Sequence, residues 1–461
     1  MEASTQKPTR VRYGVMGYLC ALAFVLYIDR ICIGQAGTRM KEDLDLNNSQ
    51  WAWVGVAFQI AYGIFEPTTG HWGDKYGSRR VLIRIVLWWS LFTALTGAVW
   101  YFSWEILPGV FFGSFTLLLL IRFLFGAGEA GALPNAARVI SRWFPRGKRG
   151  PAQALISTCA QIGGATAPAV AALLIELIGW RWAFVIFGSL GILWVWTFAL
   201  WFRDDPATHP SVNEAERRYI LGAAAFPLTT NAAPPSPATA THAEPIPWRL
   251  VFANHNIWLL GAISFCTSFF SYMLFFWFPT YLKEGRGLTE LESGRLGSLP
   301  YVFGATGVLL GGFVGDWLTA RTGSRRLALG SMGTVGLLLA GALVGSSMFA
   351  DAPLVAVLLC SIGYFFSYIQ LAGWWAAMGD VGGRHLGALF GLCNMIGLAG
   401  GAVSQVFLGQ FADYMKAQGY SGRAQWDPAF YVYGGILMLG GVLWLFMNPR
   451  RTVVPADAEH V

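Results

Sequence analysis

Eight ionisable side chains fall inside stretches of sequence that are otherwise almost wholly apolar: Asp29, Arg30, Glu66, Arg84, Arg122, Glu129, Arg138 and Glu176. All eight belong to the first half of the chain, whereas Arg295, Asp316, Asp380, Arg384 and Asp413 of the second half stand at the edges of apolar runs. A charge within a bilayer costs roughly 2.5 to 3.5 kcal/mol on insertion scales, so each needs a partner or a task. Arg30 lies about 17 residues into the first run, a rise of roughly 26 Å, which takes it past a midplane. Its planar guanidinium can hold a carboxylate through two hydrogen bonds, more specifically than a lysine can. The alternative is a structural pair with Asp29 or a glutamate. Glu129 and Arg122 are two helical turns apart on one face, with about 10 Å of rise between them. An arginine approaching or leaving Glu129 would change how readily it holds a proton, and no histidine lies mid-run as another relay. The alternative there is a static brace. Glu66, beside Pro67, is either a further proton site or a partner for a kinked backbone. Glu176, Arg138 and Arg84 lie close enough to run ends to snorkel.

Neutral candidates accompany these charges. Tyr27, Tyr62, Gln161, Gln370, Trp374 and Asn394 supply the donors, acceptors and aromatic surface that a hydroxyl-bearing anion needs, although single aromatics in such runs more often pack or sit at interfaces.

The elements that must hold these residues follow from composition. The chain has 461 residues, 55% hydrophobic and only 12% charged, and a mean hydropathy of +0.49. Ordinary soluble domains are about a quarter charged, so a water-soluble fold is disfavoured. Crossing a hydrocarbon core takes about 20 helical residues, and twelve runs of that order, from 13–37 to 430–446, predict twelve transmembrane helices. The fourth, 115–144, is longer than a span requires. An Ala-, Thr- and Pro-rich segment then divides the chain into an amino-terminal six-helix bundle (1–203), a flexible cytoplasmic linker (204–250) and a carboxy-terminal bundle (251–461). Lys and Arg concentrate in the loops on the amino-terminal side, which places both termini in the cytoplasm and reads the net charge of +7 as topology, with no nucleic-acid partner. Lys7 to Arg12 precede the first run, which reads as a retained anchor. The six cysteines have no disulfide or metal spacing. Gly126, Gly128 and Gly131 form a G-x-G-x-x-G, but within a long apolar run such spacing serves close helix contact instead of a dinucleotide. No H-E-x-x-H, Walker A loop or G-x-S-x-G is present, so neither an enzyme nor a bound cofactor is indicated.

Gly70, Asp74, Lys75, Gly77, Arg79 and Arg80 follow the second run, and Gly312, Asp316, Gly323, Arg325 and Arg326 follow the eighth with similar punctuation. This repeat resembles the signature loop of the major facilitator superfamily. Tyr27-Ile-Asp29-Arg30, Arg122 with Gly128-Glu129-Ala130, Arg142-Trp-Phe-Pro145, Gly179 to Phe184 and Trp277 to Leu282 resemble more narrowly its anion:cation symporter family. That family includes bacterial hexuronate, galactonate and glucarate carriers and the animal sialic-acid exporter. Lys148 departs from it where relatives carry an acidic residue. The resemblance implies an all-α integral membrane fold of two six-helix bundles, with Asp29 and Glu129 as proton carriers coupled by Arg122. It also implies substrate contacts at Tyr27, Tyr62, Gln161, Trp374 and Asn394, and a cytoplasmic gate at the two signature loops. The expectation is a monomeric, multi-pass plasma-membrane carrier (inner membrane in a bacterium), in contact with the lipid bilayer, that moves a small organic anion, a sugar acid, together with protons. A proton-independent exchanger or facilitator and a non-transporting ligand sensor are the alternatives.

Overall fold

The computed structural model describes residues 7–107, 110–145, 148–221, 248–382, 386–448 and 452. Nine stretches among the described residues are long and apolar enough to cross a membrane. One of them is the 53-residue α6 (Arg149–Trp201), which Gly179 breaks by leaving helical geometry at φ 81° and ψ 159°. Counting α6 as two rods and adding α2 (Asn48–Tyr76) and α3 (Ser78–Thr96) gives twelve rods, as predicted.

In the amino-terminal half α1 (Val11–Leu44) packs along α6, α2 along α4 (Ser114–Glu129), and α3 along α4 and α6. The short α5 (Ala132–Trp143) continues the line of α4. In the other half α9 (His255–Tyr272) leads through π-helical turns and α10 (Phe278–Thr280) to Gly285. There follow α11 (Glu290–Gly297), α12 (Leu299–Thr322), α13 (Arg325–Ser346), α14 (Pro353–Gly382), α15 (Leu386–Ala417), α16 (Arg423–Trp426) and α17 (Ala429–Leu445). There α12 packs on α14, α13 on α14 and α17, and α9 on α15 and α17, while the halves meet where α2 lies on α15 and α6 on α11 and α12. Small residues permit these approaches: a Cβ on Gly126 would stand 2.4 Å from the Phe58 carbonyl, so this glycine of the G-x-G-x-x-G is a packing residue.

With an even number of rods, the start of α1 and the end of α17 fall on one face, here called the terminal face, where Asn256 Nδ2 at the start of α9 donates to the Asn448 carbonyl at 2.7 Å. Two elements there and opposite were not anticipated. A hairpin of β1 (Ser103–Leu107) and β2 (Val110–Gly113), paired antiparallel with Ser103 opposite Gly113, caps the connection from α3 to α4 on the far face. The start of the linker is folded, which corrects the flexible segment predicted over 204–250. A 3-10 turn (Pro206–Thr208) and α7 (Glu214–Leu221) form within that range, and α8 (Trp248–Ala253) begins at its end. The reason is local chemistry. Arg10 offers no side-chain cap to α1, and the fully buried Glu216 accepts from the Val11 and Arg12 amides at 3.2 and 3.1 Å and from the Arg12 guanidinium at 3.0 Å. A carboxylate at a helix amino end satisfies orphan donors and the helix dipole together. His209 is buried edge-on against Trp143 and Trp201. The low-complexity stretch 222–247 lies outside the described residues.

Candidate functional site

The apolar run too long for one span is two helices. Helix α4 stops at Glu129 because Ala130 turns extended (φ −55°, ψ 133°) and Gly131 adopts φ 87°. Any side chain at Gly131 would be strained there, and its Cβ would stand 2.3 Å from Thr69 Oγ1. Asn135 Nδ2 braces the break from the next turn, donating to the Gly131 and Thr69 carbonyls at 2.8 and 3.3 Å. The interruption delivers the Glu129 carboxylate to α1. There Arg30 Nε and Nη2 donate to Glu129 Oε1 at 2.9 and 2.5 Å, leaving Oε2 without a partner. The Arg30 guanidinium also lies over the rings of Tyr27, Phe58 and Tyr62 at 5.7, 5.3 and 5.0 Å, a cation–π surround.

Glu129 thus pairs with Arg30 from another helix, and Arg122 on its own helix is a neighbour without that bond. Arg122 is buried with its guanidinium 4.3 Å over Phe125 and its Nε unpartnered. It lies within electrostatic reach of Asp29, which is 1% exposed and whose carboxylate has the Trp89 indole as its nearest donor, outside close hydrogen-bond geometry. Asp29, Arg30, Arg122 and Glu129 therefore form one buried cluster.

Around it stand some of the neutral candidates and not others. Tyr62 donates to Glu66 Oε1 at 3.2 Å, and Asn394, from the other half, donates to Glu66 Oε2 at 3.3 Å. Gln161 is half-buried on α6, one turn before Gly164, whose neighbours are Tyr27 and Tyr301. Gln370 and Trp374, predicted as substrate contacts, bond within their own half, the Trp374 ring packing on Phe390 one turn before Asn394. Trp374 Nε1 donates to the Leu260 carbonyl at 2.9 Å, and Gln370 Oε1 accepts from Trp444 Nε1 at 3.1 Å. Both are buried in the packing of α14 against α9 and α17, with the Trp374 indole N–H and the Gln370 amide oxygen bonded there.

Sequence reasoning missed the closure of the far face. Lys283 Nζ donates to the Gln35 carbonyl at 2.6 Å and to Glu290 Oε1 at 3.1 Å, and Gln35 Nε2 reaches Glu290 Oε1 at 2.6 Å and Ser293 Oγ at 2.8 Å. Arg39 approaches Glu290 at 3.3 Å, Lys41 pairs with Glu284 at 2.7 Å, and Asp413 takes the Ser49 amide at 2.7 Å. The only signal was a cluster of charges at the ends of the first, seventh and eighth runs. On the terminal face the signature loops bond within their own halves. The Arg79 amide donates to Asp204 at 2.9 Å and its side chain to the Ala199 carbonyl, while Arg325 grips Asp380 at 2.5 and 3.0 Å. Gly77 takes φ 85°. Lys75, Arg80, Asp316 and Arg326 are exposed, and Gly70 and Asp74 lie in α2 with side chains outside the described set. Among the described residues, no hydrogen bond or ion pair joins the halves on the terminal-face side of the Glu66–Asn394 contact.

A membrane-spanning pair of helical bundles, bonded together at one face and enclosing buried charges at their centre, defines a polytopic membrane transporter. The sequence profile described as the Major Facilitator Superfamily matches residues 19–405, and the chain belongs to that superfamily, whose members carry solutes and are not enzymes. The chain is 31% identical to the probable sulfoacetate transporter SauU of Cupriavidus necator over 98% of this chain and 97% of that one. It is 29% identical to the probable galactarate/D-glucarate transporter GudP of Escherichia coli over 88% of each. A crystal structure of a bacterial homologue of the human lysosomal transporter Spinster, inward-facing and occupied, shares the fold with a TM-score of 0.75 at 19% identity, covering 95% of this chain and 97% of that one.

Proposed function

We propose that this protein is a proton-coupled symporter of a small organic anion, working by alternating access as the bundles 1–203 and 251–461 rock about the buried cluster. The observation that carries the reading is the Arg30–Glu129 bond. An anionic group on the cargo is a competitor for the same guanidinium. When the cargo takes Arg30, Glu129 loses its cation, and a buried carboxylate without a cation is stabilised by a proton. Anion binding and proton binding are then one event. Asp29, buried near Arg122 with no donor in close hydrogen-bond geometry, is a second carboxylate with the same property. In this reading Arg30, Tyr27, Tyr62, Gln161 and Asn394 contact the cargo, Asp29 and Glu129 carry protons, and Arg122 couples them.

The positive-inside distribution makes the terminal face cytoplasmic and leaves the structure closed outside. Gly70, Asp74, Lys75, Gly77, Arg79, Arg80, Asp316, Arg325 and Arg326 then form the gate that closes inside in the alternate state. The likeness to carriers named for glucarate, galactarate and sulfoacetate supports a sugar acid or another short, polar anion as cargo. The test is uptake of glucarate, galactonate, glucuronate and sulfoacetate into proteoliposomes with and without an inward proton gradient. Gradient-dependent accumulation of one of them is the expected result. Equal uptake under both conditions would establish a proton-independent carrier, and binding without flux a sensor.

A further inference from the structure

Glu66 is the one acidic group of the cluster that touches both bundles. Its carboxylate accepts from Tyr62 on its own helix at 3.2 Å and from Asn394 on α15 at 3.3 Å, so one oxygen serves each bundle. The remaining hydrogen bonds between the halves among the described residues lie toward the far face, on Gln35, Arg39, Lys41, Asn48, Ser49 and their partners. The Glu66–Asn394 contact is therefore the tie nearest the terminal face. Charged and titratable groups facing Glu66 from the surrounding helices are Arg30 of α1, Glu129 of α4 and Tyr272 of α9, besides Tyr62.

Charge counting gives this placement a consequence. With every group ionised, Asp29 and Glu129 balance Arg30 and Arg122, and Glu66 leaves the cluster one negative charge in excess. An entering anion adds another. Unbalanced charge in a site screened from water is unfavourable, and protons are the available counter-ions.

We propose that Glu66 is a third proton-linked carboxylate, protonated when the anion is bound and deprotonated when Asn394 is held. Protonating Glu66 removes the charge that strengthens its bond to Asn394, so the tie to the opposite bundle weakens and proton binding is linked to the movement of the halves. The inference rests on the symport reading and adds a stoichiometry to it. Relative to the ionised empty cluster, neutralising it around a monoanion takes two protons, shared among Glu66, Asp29 and Glu129, and only one, shared between Asp29 and Glu129, when Glu66 is replaced.

The test is the steady accumulation of a monoanion in proteoliposomes with the membrane potential clamped at zero and an imposed gradient of one pH unit. Each coupled proton multiplies accumulation by about tenfold, since one pH unit is a tenfold ratio of proton activity. The wild type is expected to reach about a hundredfold. Glu66→Gln and Glu66→Met are each expected to reach about a tenth of the wild-type value, while Glu66→Asp keeps it. A purely structural role for Glu66 would change rates and leave this ratio where it was. A gradient-dependent wild type that accumulates only tenfold, or neutral variants that keep the wild-type ratio, would overturn the proposal while leaving symport intact. A wild type indifferent to the gradient would sink the symport reading itself.

Discussion

Replacing Glu129 by glutamine tests the competition at Arg30 directly. The carboxylate now accepts from Arg30 Nε and Nη2 at 2.9 and 2.5 Å, and a cargo anion must displace at least one of those bonds. Hydrogen bonds to charged groups contribute about 1.5 to 3 kcal/mol each, and a neutral amide oxygen is a weaker acceptor. Relieving the cargo of one such displacement should tighten anion binding by roughly 10- to 150-fold at 1.36 kcal/mol per tenfold. The same change removes a proton acceptor, so accumulation driven by a proton gradient should fall while anion-for-anion exchange continues. Calorimetric titration of the purified variant in detergent gives the first quantity and proteoliposome assays the second. If Glu129→Gln binds the anion no more tightly and still accumulates it fully, cargo and Glu129 do not compete and the coupling argument is wrong.

Three further outcomes are expected. Lys283→Met leaves the buried Glu290 with only the partly exposed Arg39 as cation, a loss of up to about 3 kcal/mol, the lower end for a broken buried pair. It should open the far face, so a cysteine placed at the fully buried Thr280 should react faster with an impermeant maleimide than in the parent. Gly131→Ala forces a Cβ against Thr69 at φ 87°, a backbone strain of about 1 to 3 kcal/mol before any clash. A lowered midpoint in thermal unfolding and impaired uptake should both follow, whereas Ala132→Gly should leave uptake near normal. Burial, reinforced by Arg203, holds His209 below its ordinary value near 6.5. The docked linker therefore prefers the neutral ring, and its docking should weaken as pH falls below about 6.5, where the undocked ring takes a proton first. Protection of residues 206–221 against hydrogen exchange, measured relative to the intrinsic rate at each pH, should fall with acidity in the parent and respond less in His209→Phe.

The division into helical rods was legible because hydropathy over about 20 residues is a strong, local signal. The excess length of the fourth run was legible too, although its cause was not. The break at Gly131 depends on Thr69 and Asn135 closing around a left-handed residue, and only the fold brings them there. The cluster of Asp29, Arg30, Arg122 and Glu129 could be read from the penalty on buried charge, but not its pairing, since helical periodicity joins Glu129 to Arg122 while tertiary packing joins it to Arg30. Gln370 and Trp374 show the opposite limit. Side-chain type made them eligible as ligands, and whether a helix face looks toward the partner bundle or into its own is not a property of residue type. The bonds of Gln35 and Lys283 to Glu290 join segments far apart in sequence, and no motif announces them.

The first helix carries Asp29 and Arg30, and it is fastened at both extremities: by Glu216 where it begins and by the Gln35, Arg39 and Lys41 contacts near its other end. A beam clamped twice cannot tilt until one clamp yields. The Glu216 clamp is docked from the linker onto that same bundle and travels with it, so the yielding one is the distant ionic set. On the proposed rocking mechanism, ionic strength on that side of the membrane, where Arg39 is 43% exposed, is thus a handle on turnover that leaves the Arg30–Glu129 bond untouched.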